Sequence, residues 1–200
     1  MNSMEVDSDN TISLRGSISH VLELLKYAIN GILLHRGVYP DEEFYVEKRF
    51  GLDLPLILPS STEDYIELTL IRLRDWLLKE VVKQVVVVVM DADDGHTIER
   101  WIFEPHVSMN DPNIAKRLDA EMDRELSAVM KDIITPTFLP PLEKQTVFDI
   151  LVYVKDGAEV PEGWDTTHSH VVEDGEHDTM KGLTAPHHKV GLSVAYRDED

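Results

Sequence analysis

Cysteine is absent from this chain of 200 residues, so it can form neither a disulfide nor a catalytic thiolate. Long apolar runs are absent too. The longest, Val85–Met90, is far shorter than the ~20 residues that a membrane-spanning helix requires. Basic residues are scarce, with 19 Lys and Arg against 38 Asp and Glu, and a net charge of −19 disfavours a surface for nucleic-acid phosphates. We therefore expect no membrane span and no nucleic-acid partner.

The remaining composition favours one folded domain. The chain is 42% hydrophobic and 28% charged, which is enough apolar side chain for a packed core. Residues 1–10 are polar and acidic, which predicts a flexible terminus and not a secretory or transit peptide. The acidic excess permits a basic partner, although it is also a common way of keeping a protein soluble.

Three segments carry the apolar periodicity of helices. The first opens near Ser17 and stops at Gly37, and its apolar face is broad enough to predict a central helix. The second opens at Ser61 with Glu63 and Asp64 in its first turn. The third opens at Asp111-Pro112 and ends before Pro136.

Other segments favour strands. Five successive valines in Val85–Met90 disfavour a helix, and with Thr97–Glu104 they predict an antiparallel hairpin around an Asp-rich turn. Phe44–Leu58 predicts a second, small hairpin. Thr146–Val154 is nearly all apolar and predicts a strand covered on both faces. Three helices over an antiparallel sheet define an α+β sandwich.

The C-terminal part has an unusual layout. A polar run from Lys155 to about Ala185, rich in Gly, His, Asp and Glu, separates the Thr146–Val154 strand from a short apolar segment, Val190–Tyr196. Such a long, weakly specified connection can cover or expose a sheet edge. An uncovered edge is a template for the strand of another chain.

Eight short segments, taken in order, resemble those of the HORMA-domain spindle-checkpoint family, and the resemblance spans residues 11–197. They are Ile12–Ser17, Arg36–Pro40, Asp75–Leu77, Glu99–Phe103, Thr137–Pro140, Phe148–Tyr153, Val160–Trp164 and His188–Val190 with Val194–Tyr196.

The resemblance implies a HORMA fold with a core at 11–154 and a mobile C-terminal safety belt at 155–197. In this family the protein switches between open and closed states, and in the closed state the belt locks a partner peptide that adds to the sheet as a strand. The implied peptide-binding edge comprises Val147, Phe148, Asp149, Ile150, Leu151, Val152 and Tyr153. The implied belt residues are Trp164, His188, Lys189, Val190, Val194 and Tyr196.

Further roles follow from the same resemblance. Leu14 and Trp76 are implied as conformational-switch residues. The self-association surface, where an open copy meets a closed one, is implied at Lys131, Asp132 and Phe138. Lys131-Asp132 departs from the Arg-Gln that the family usually carries, which makes the homodimer the least secure of these expectations.

The resemblance implies a non-enzymatic adaptor without cofactor or metal. Its implied partners are a kinetochore coiled-coil checkpoint adaptor and the activator subunit of the anaphase-promoting complex, whose sequestration delays anaphase. The implied localisation is nucleus and cytoplasm, with the kinetochore or nuclear envelope during mitosis. Two alternatives stay open: a HORMA adaptor of another pathway, such as the translesion DNA polymerase subunit, and a metal-dependent enzyme using the belt histidines His168, His170, His177, His187 and His188.

Overall fold

The computed structural model describes residues 8–107, 118–135, 139–160, 162–172, 175–185 and 188–197. Three helices and seven strands follow one another along these residues, which confirms the α+β class. They are α1 (Ser8–His35), β1 (Phe44–Arg49), β2 (Leu52–Ile57), α2 (Ser61–Leu78), β3 (Val82–Asp91), β4 (Thr97–Val107), α3 (Leu118–Ile134), β5 (Thr146–Val154), β6 (Glu176–Ala185) and β7 (His188–Tyr196).

Helix α1 is the centre of the core, as its apolar pattern predicts. Eight of its side chains are exposed by 1% or less: Ile18, Val21, Leu24, Leu25, Ala28, Ile29, Ile32 and Leu33. The expectation that this helix begins near Ser17 is wrong, because its backbone is helical from Ser8 onward. Ser8, Asp9 and Asn10 are residue types that favour a helix N-terminus, so the helix can begin there.

The main sheet has five antiparallel strands in the order β5-β3-β4-β7-β6, and β1 and β2 form a separate hairpin. Val87 stands opposite Ile150 of β5, and Trp101 opposite Val194 of β7. Side chains of one sheet face join the helices in the main core, whereas Val86 and its neighbours on the other face form a second, smaller cluster. Because both faces of the central strands are covered, their continuous apolar sequence is explained.

Strand β5 occupies the residues that its sequence predicts. The adjacent residues Ile150 and Leu151 point to opposite faces and are 5% and 6% exposed, so the centre of the strand is covered on both sides. Val147, near its start, is 46% exposed.

The polar run after β5 contains a strand that the sequence analysis did not predict. Strand β6 pairs with β7 at the far edge of the sheet. Its residues Glu176, His177 and Asp178 are exposed, because an edge strand needs no apolar face toward solvent. Charged edge strands therefore lack the apolar pattern that identifies buried ones.

The other two helices pack beside α1. Helix α2 is capped by Ser60, whose hydroxyl accepts a hydrogen bond from the Glu63 amide at 3.3 Å. Helix α3 buries Leu126, Val129, Met130 and Ile133. Its predicted start at Asp111-Pro112 lies outside the described residues. Within the described residues, none of the helices carries the length of apolar sequence that would cross a membrane.

Candidate functional site

Strand β5 forms one edge of the sheet. Among the described residues, β3 is its only neighbouring strand. Two flanking hydrogen bonds show which of its backbone groups point toward β3: the Gln145 carbonyl accepts from Ala92 at 2.9 Å, and the Lys155 amide donates to Val81 at 2.8 Å. Backbone groups alternate sides along a strand, so those of Phe148, Ile150 and Val152 point outward. Such a row of outward groups can pair with an added strand.

One outward amide carries an internal partner. The Ile150 amide donates to the Asp149 carboxylate at 2.7 Å and also lies 3.2 Å from the hydroxyl of Tyr65 on α2. The Tyr65 hydroxyl in turn donates to the same carboxylate oxygen at 2.5 Å. Burial and the Asp149 carboxylate raise the pKa of Tyr65, so its phenol stays protonated and remains a donor.

Aromatic contacts hold α2 close to this edge. The Phe148 ring packs edge-on against Tyr39, with ring centroids 6.1 Å apart, and against Tyr65, with centroids 5.9 Å apart. The Tyr39 hydroxyl accepts a hydrogen bond from Thr62, the second residue of α2, at 3.1 Å. These contacts place the N-terminal half of α2 beside the edge of β5.

The first half of residues 155–172, a range that we name the crossing segment, is fixed to α2 on the helix side of the sheet. The Trp76 indole donates to the carbonyl of Glu159 at 3.0 Å, and its ring lies 4.7 Å from that of Trp164. Arg72 donates to the carbonyl of Gly163 at 3.0 Å. Three neighbouring contacts thus hold the first half of the crossing segment.

The second half of the crossing segment is fixed to the opposite face of the sheet. The Tyr153 hydroxyl donates to the carbonyl of Ser169 at 2.9 Å and accepts from Arg100 at 3.1 Å. The Arg100 guanidinium also lies 5.9 Å from the centre of the Tyr153 ring. Between Gly163 and Ser169 the chain therefore crosses from the helix side of the sheet to the opposite face, close to Tyr153 of β5. This arrangement can enclose an extended chain between the crossing segment and the strand.

The residues expected to form the belt fall in two separate places. Trp164 lies in the crossing segment, where its ring meets Trp76. Val190, Val194 and Tyr196 are buried in β7, which pairs with β4 and is separated from β5 by β3 and β4. His188 and Lys189 begin β7, and their side chains lie outside the described residues.

The Tyr196 hydroxyl closes the β6–β7 pair, because it donates to Glu176 at 2.8 Å. Hydrogen bonding to Glu176, together with burial and Asp178, raises the pKa of Tyr196. This contact fixes the end of β7 to the polar edge strand.

The expected switch and dimerisation residues are placed only in part. Trp76 is 3% exposed and contacts the crossing segment. Leu14 lies inside α1 and not before it, and its side chain is outside the described residues. Lys131 is exposed and Asp132 half-buried in the last turn of α3, whereas Phe138 lies outside the described residues.

Sequence reasoning missed Tyr65, Arg72 and Arg100 as members of this site. Tyr65, Arg72 and Trp76 are spaced at i, i+7 and i+11, which places them on one face of α2. A polar and aromatic stripe beside the buried leucines was therefore visible in the sequence. The segment that this stripe contacts could not be predicted, because the crossing segment carries no helical or strand pattern.

The positions of the possible ligand atoms do not favour the metal-enzyme hypothesis. Within the described residues, the group with three clustered ligand atoms is Asp91, Asp94 and His96, and it contains none of His168, His170 and His177. His187 and the side chain of His188 lie outside the described residues. Asp91 accepts from the Asp93 amide at 2.8 Å, Asp94 accepts from the His96 amide at 3.0 Å, and these bonds lower the pKa of both carboxyls. The cluster is the predicted hairpin turn between β3 and β4.

Residues 17–191 match the family model of the HORMA domain, and the chain belongs to the HORMA-domain family. Its sequence is 33% identical to the mitotic spindle checkpoint component mad2 of Schizosaccharomyces pombe over 192 residues, covering 92% of this chain and 94% of the relative. Identity to the mitotic spindle checkpoint component MAD2 of Saccharomyces cerevisiae is 35%, over 94% of this chain and 98% of that relative.

A comparison with solved structures gives the same family assignment. The fold matches a chain of the crystal structure of the mitotic checkpoint complex with a TM-score of 0.82 at 30% identity, over 92% of this chain and 99% of that chain. The chain is accordingly a non-enzymatic spindle-checkpoint adaptor. The polymerase-subunit and metal-enzyme alternatives are not favoured.

Proposed function

We propose that this checkpoint adaptor captures a partner peptide as an extra strand on β5 and holds it there with the crossing segment. The peptide would hydrogen-bond to the outward backbone groups of Phe148, Ile150 and Val152. Its side chains would alternate between the face of the sheet that packs on α2 and the opposite face. Backbone pairing supplies affinity that tolerates sequence variation, and the side-chain contacts supply selectivity.

One observation carries this proposal. The crossing segment is held on the helix side by Arg72 and Trp76 and on the opposite face by Tyr153, which supports a path around the β5 edge of the sheet, where the described residues place no outer strand. A chain lying along β5 would be enclosed on three sides. Dissociation would then require the crossing segment to leave at least one set of contacts, which favours slow release.

The second state of the switch would place the C-terminal segment elsewhere. In the present arrangement β7 and β6 lie beyond β4, and the described part of the chain places no strand on the outer side of β5, as a closed state requires. An open state needs these strands to leave β4, and both packings must then differ by only a few kcal/mol. A peptide would favour the closed state by its differential affinity alone. Leu14 and Trp76 remain our candidates for residues that change neighbours.

The proposed partners are a kinetochore coiled-coil checkpoint adaptor and the activator subunit of the anaphase-promoting complex. Sequestering that activator would delay anaphase. A checkpoint role implies association with kinetochores in mitosis. We propose in addition that the protein lies at the nuclear envelope in mitosis and otherwise in the nucleus and cytoplasm.

The proposed homodimer surface is the end of α3. Lys131 is exposed there, and the opposite face of the helix is buried against the core. Asp132 and Phe138 belong to the same proposed surface, and Phe138 lies outside the described residues. Sedimentation of the wild-type chain and of Lys131→Glu would test this, because loss of a concentration-dependent dimer in the variant is expected and an unchanged dimer would contradict it.

The peptide proposal is tested by binding. Overlapping 20-residue peptides from both partners would be titrated against the full chain by fluorescence anisotropy, and we expect one segment of each to bind. Val152→Pro removes an outward amide but no bond to β3, and should weaken that binding by at least tenfold. Val152→Ala is the control, because it shortens the side chain and keeps the amide. Equal affinities for the two variants would show that no strand is added there.

A further inference from the structure

The internal partners of Ile150 occupy the position that an added strand needs. This inference rests on the proposed peptide capture and concerns its first step. A strand carbonyl bonds an amide nitrogen at about 2.9 Å. The Asp149 carboxylate and the Tyr65 hydroxyl lie 2.7 and 3.2 Å from the Ile150 nitrogen. The carbonyl of a peptide and these two side-chain oxygens cannot share that place.

We propose that Tyr65 and Asp149 form a removable cap on β5, which a captured peptide displaces when it pairs with Ile150. The cap joins two residues from different elements through the hydrogen bond between the tyrosine hydroxyl and the carboxylate. It covers the one amide at the centre of the strand, directly opposite Val87. Once the cap is displaced, the Ile150 amide sets the register of the peptide, because a peptide carbonyl must pair with this residue.

The surroundings allow the cap to open. Tyr65 is 37% exposed and is not a core residue, so its ring can rotate toward solvent without leaving a core position empty. Asp149 is half-buried on an edge strand and regains water when it turns away. While the cap is in place, it puts a carboxylate on this sheet edge, which is a common protection against pairing with a wrong chain.

A first test needs no partner. Amide hydrogen exchange of the full chain would be followed at Ile150 by NMR in wild type, Tyr65→Phe, Asp149→Ala and the double variant. We expect exchange at Ile150 to accelerate about threefold in each single variant and at least tenfold in the double variant. Tyr27→Phe is the matched control, because Tyr27 also donates to a carboxylate, that of Glu47 at 2.7 Å, away from β5. Unchanged exchange at Ile150 would overturn the cap.

A second test measures capture. With a peptide selected by the anisotropy titration, Tyr65→Phe and Asp149→Ala should each associate about five times faster than wild type, and Tyr27→Phe should not. Slower association or weaker affinity in both variants would show that the pair contacts the peptide directly and would overturn the proposal. If no peptide binds the wild-type chain, the proposed function fails, whereas the exchange result still decides whether the cap exists.

Discussion

Arg36 and Glu99 form an ion pair inside the protein. The Arg36 Nε lies 2.8 and 3.1 Å from the two carboxylate oxygens, and the side chains are 7% and 1% exposed. The Trp101 indole donates to the same carboxylate at 2.9 Å, and Arg36 also donates to the carbonyl of Pro140 at 2.6 Å. The end of α1, strand β4 and the segment after α3 therefore meet at one charged centre.

Glu99→Ala should destabilise the fold by about 3–5 kcal/mol, because it leaves a buried guanidinium without its counter-ion. Urea unfolding followed by circular dichroism measures the change. Glu23→Ala is the control, since Glu23 pairs with Arg49 on the surface and such exposed pairs contribute at most about 1 kcal/mol. Equal losses in the two variants would contradict a special role for the buried pair.

Trp164→Ala should shorten the lifetime of a captured peptide. The variant removes the ring that packs on Trp76, and aromatic pairs contribute about 0.5–1.5 kcal/mol beyond the apolar area they bury, or roughly a three- to tenfold faster release. Peptide dissociation after addition of unlabelled competitor is the measurement. Val160→Ala serves as control, because Val160 lies in the same segment and is 50% exposed. A release rate identical to wild type would exclude Trp164 as an anchor.

Gly163→Ala should loosen the crossing segment more than Gly157→Ala. Both glycines have positive φ, +89° and +79°, so an alanine is strained at either position. A Cβ at Gly163 would also lie 2.7 Å from the Arg72 guanidinium, whereas nothing lies within 4 Å of one at Gly157. The difference in peptide dissociation rate between the two variants isolates the Arg72 contact. No difference would mean that Arg72 moves aside without consequence.

A chain ending at Pro186 should lose much of its stability and not merely its belt. Strand β7 supplies four core side chains, Val190, Leu192, Val194 and Tyr196, which are 0–6% exposed. Burial of such a side chain contributes about 1.5–3 kcal/mol, so their joint loss approaches the stability of a whole domain. A chain ending at Arg197 keeps β7 and should unfold like wild type in urea. A cooperative, wild-type transition in the shorter chain would contradict this expectation.

Particular elements show why prediction from sequence succeeded in some places and failed in others. The apolar face of α1 and the valine run of β3 are buried in the elements that their patterns favour, since burial itself produces those patterns. Strand β6 was missed because its polar residues form an edge. The earlier start of α1 was missed because no apolar periodicity marks the residues before Ser17.

The local sequence by itself determined the helices, the central strands and membership of the HORMA-domain family, because periodicity and short ordered motifs are properties of neighbouring residues. The tertiary structure alone decided that Tyr65 meets Asp149, 84 positions along the chain, and that Arg36 meets Glu99, 63 positions away. It also decided that β7 lies beside β4 and that, within the residues the structure describes, no strand lies outside β5. These pairings depend on how whole elements pack against each other, and no local pattern encodes the path that brings distant residues together.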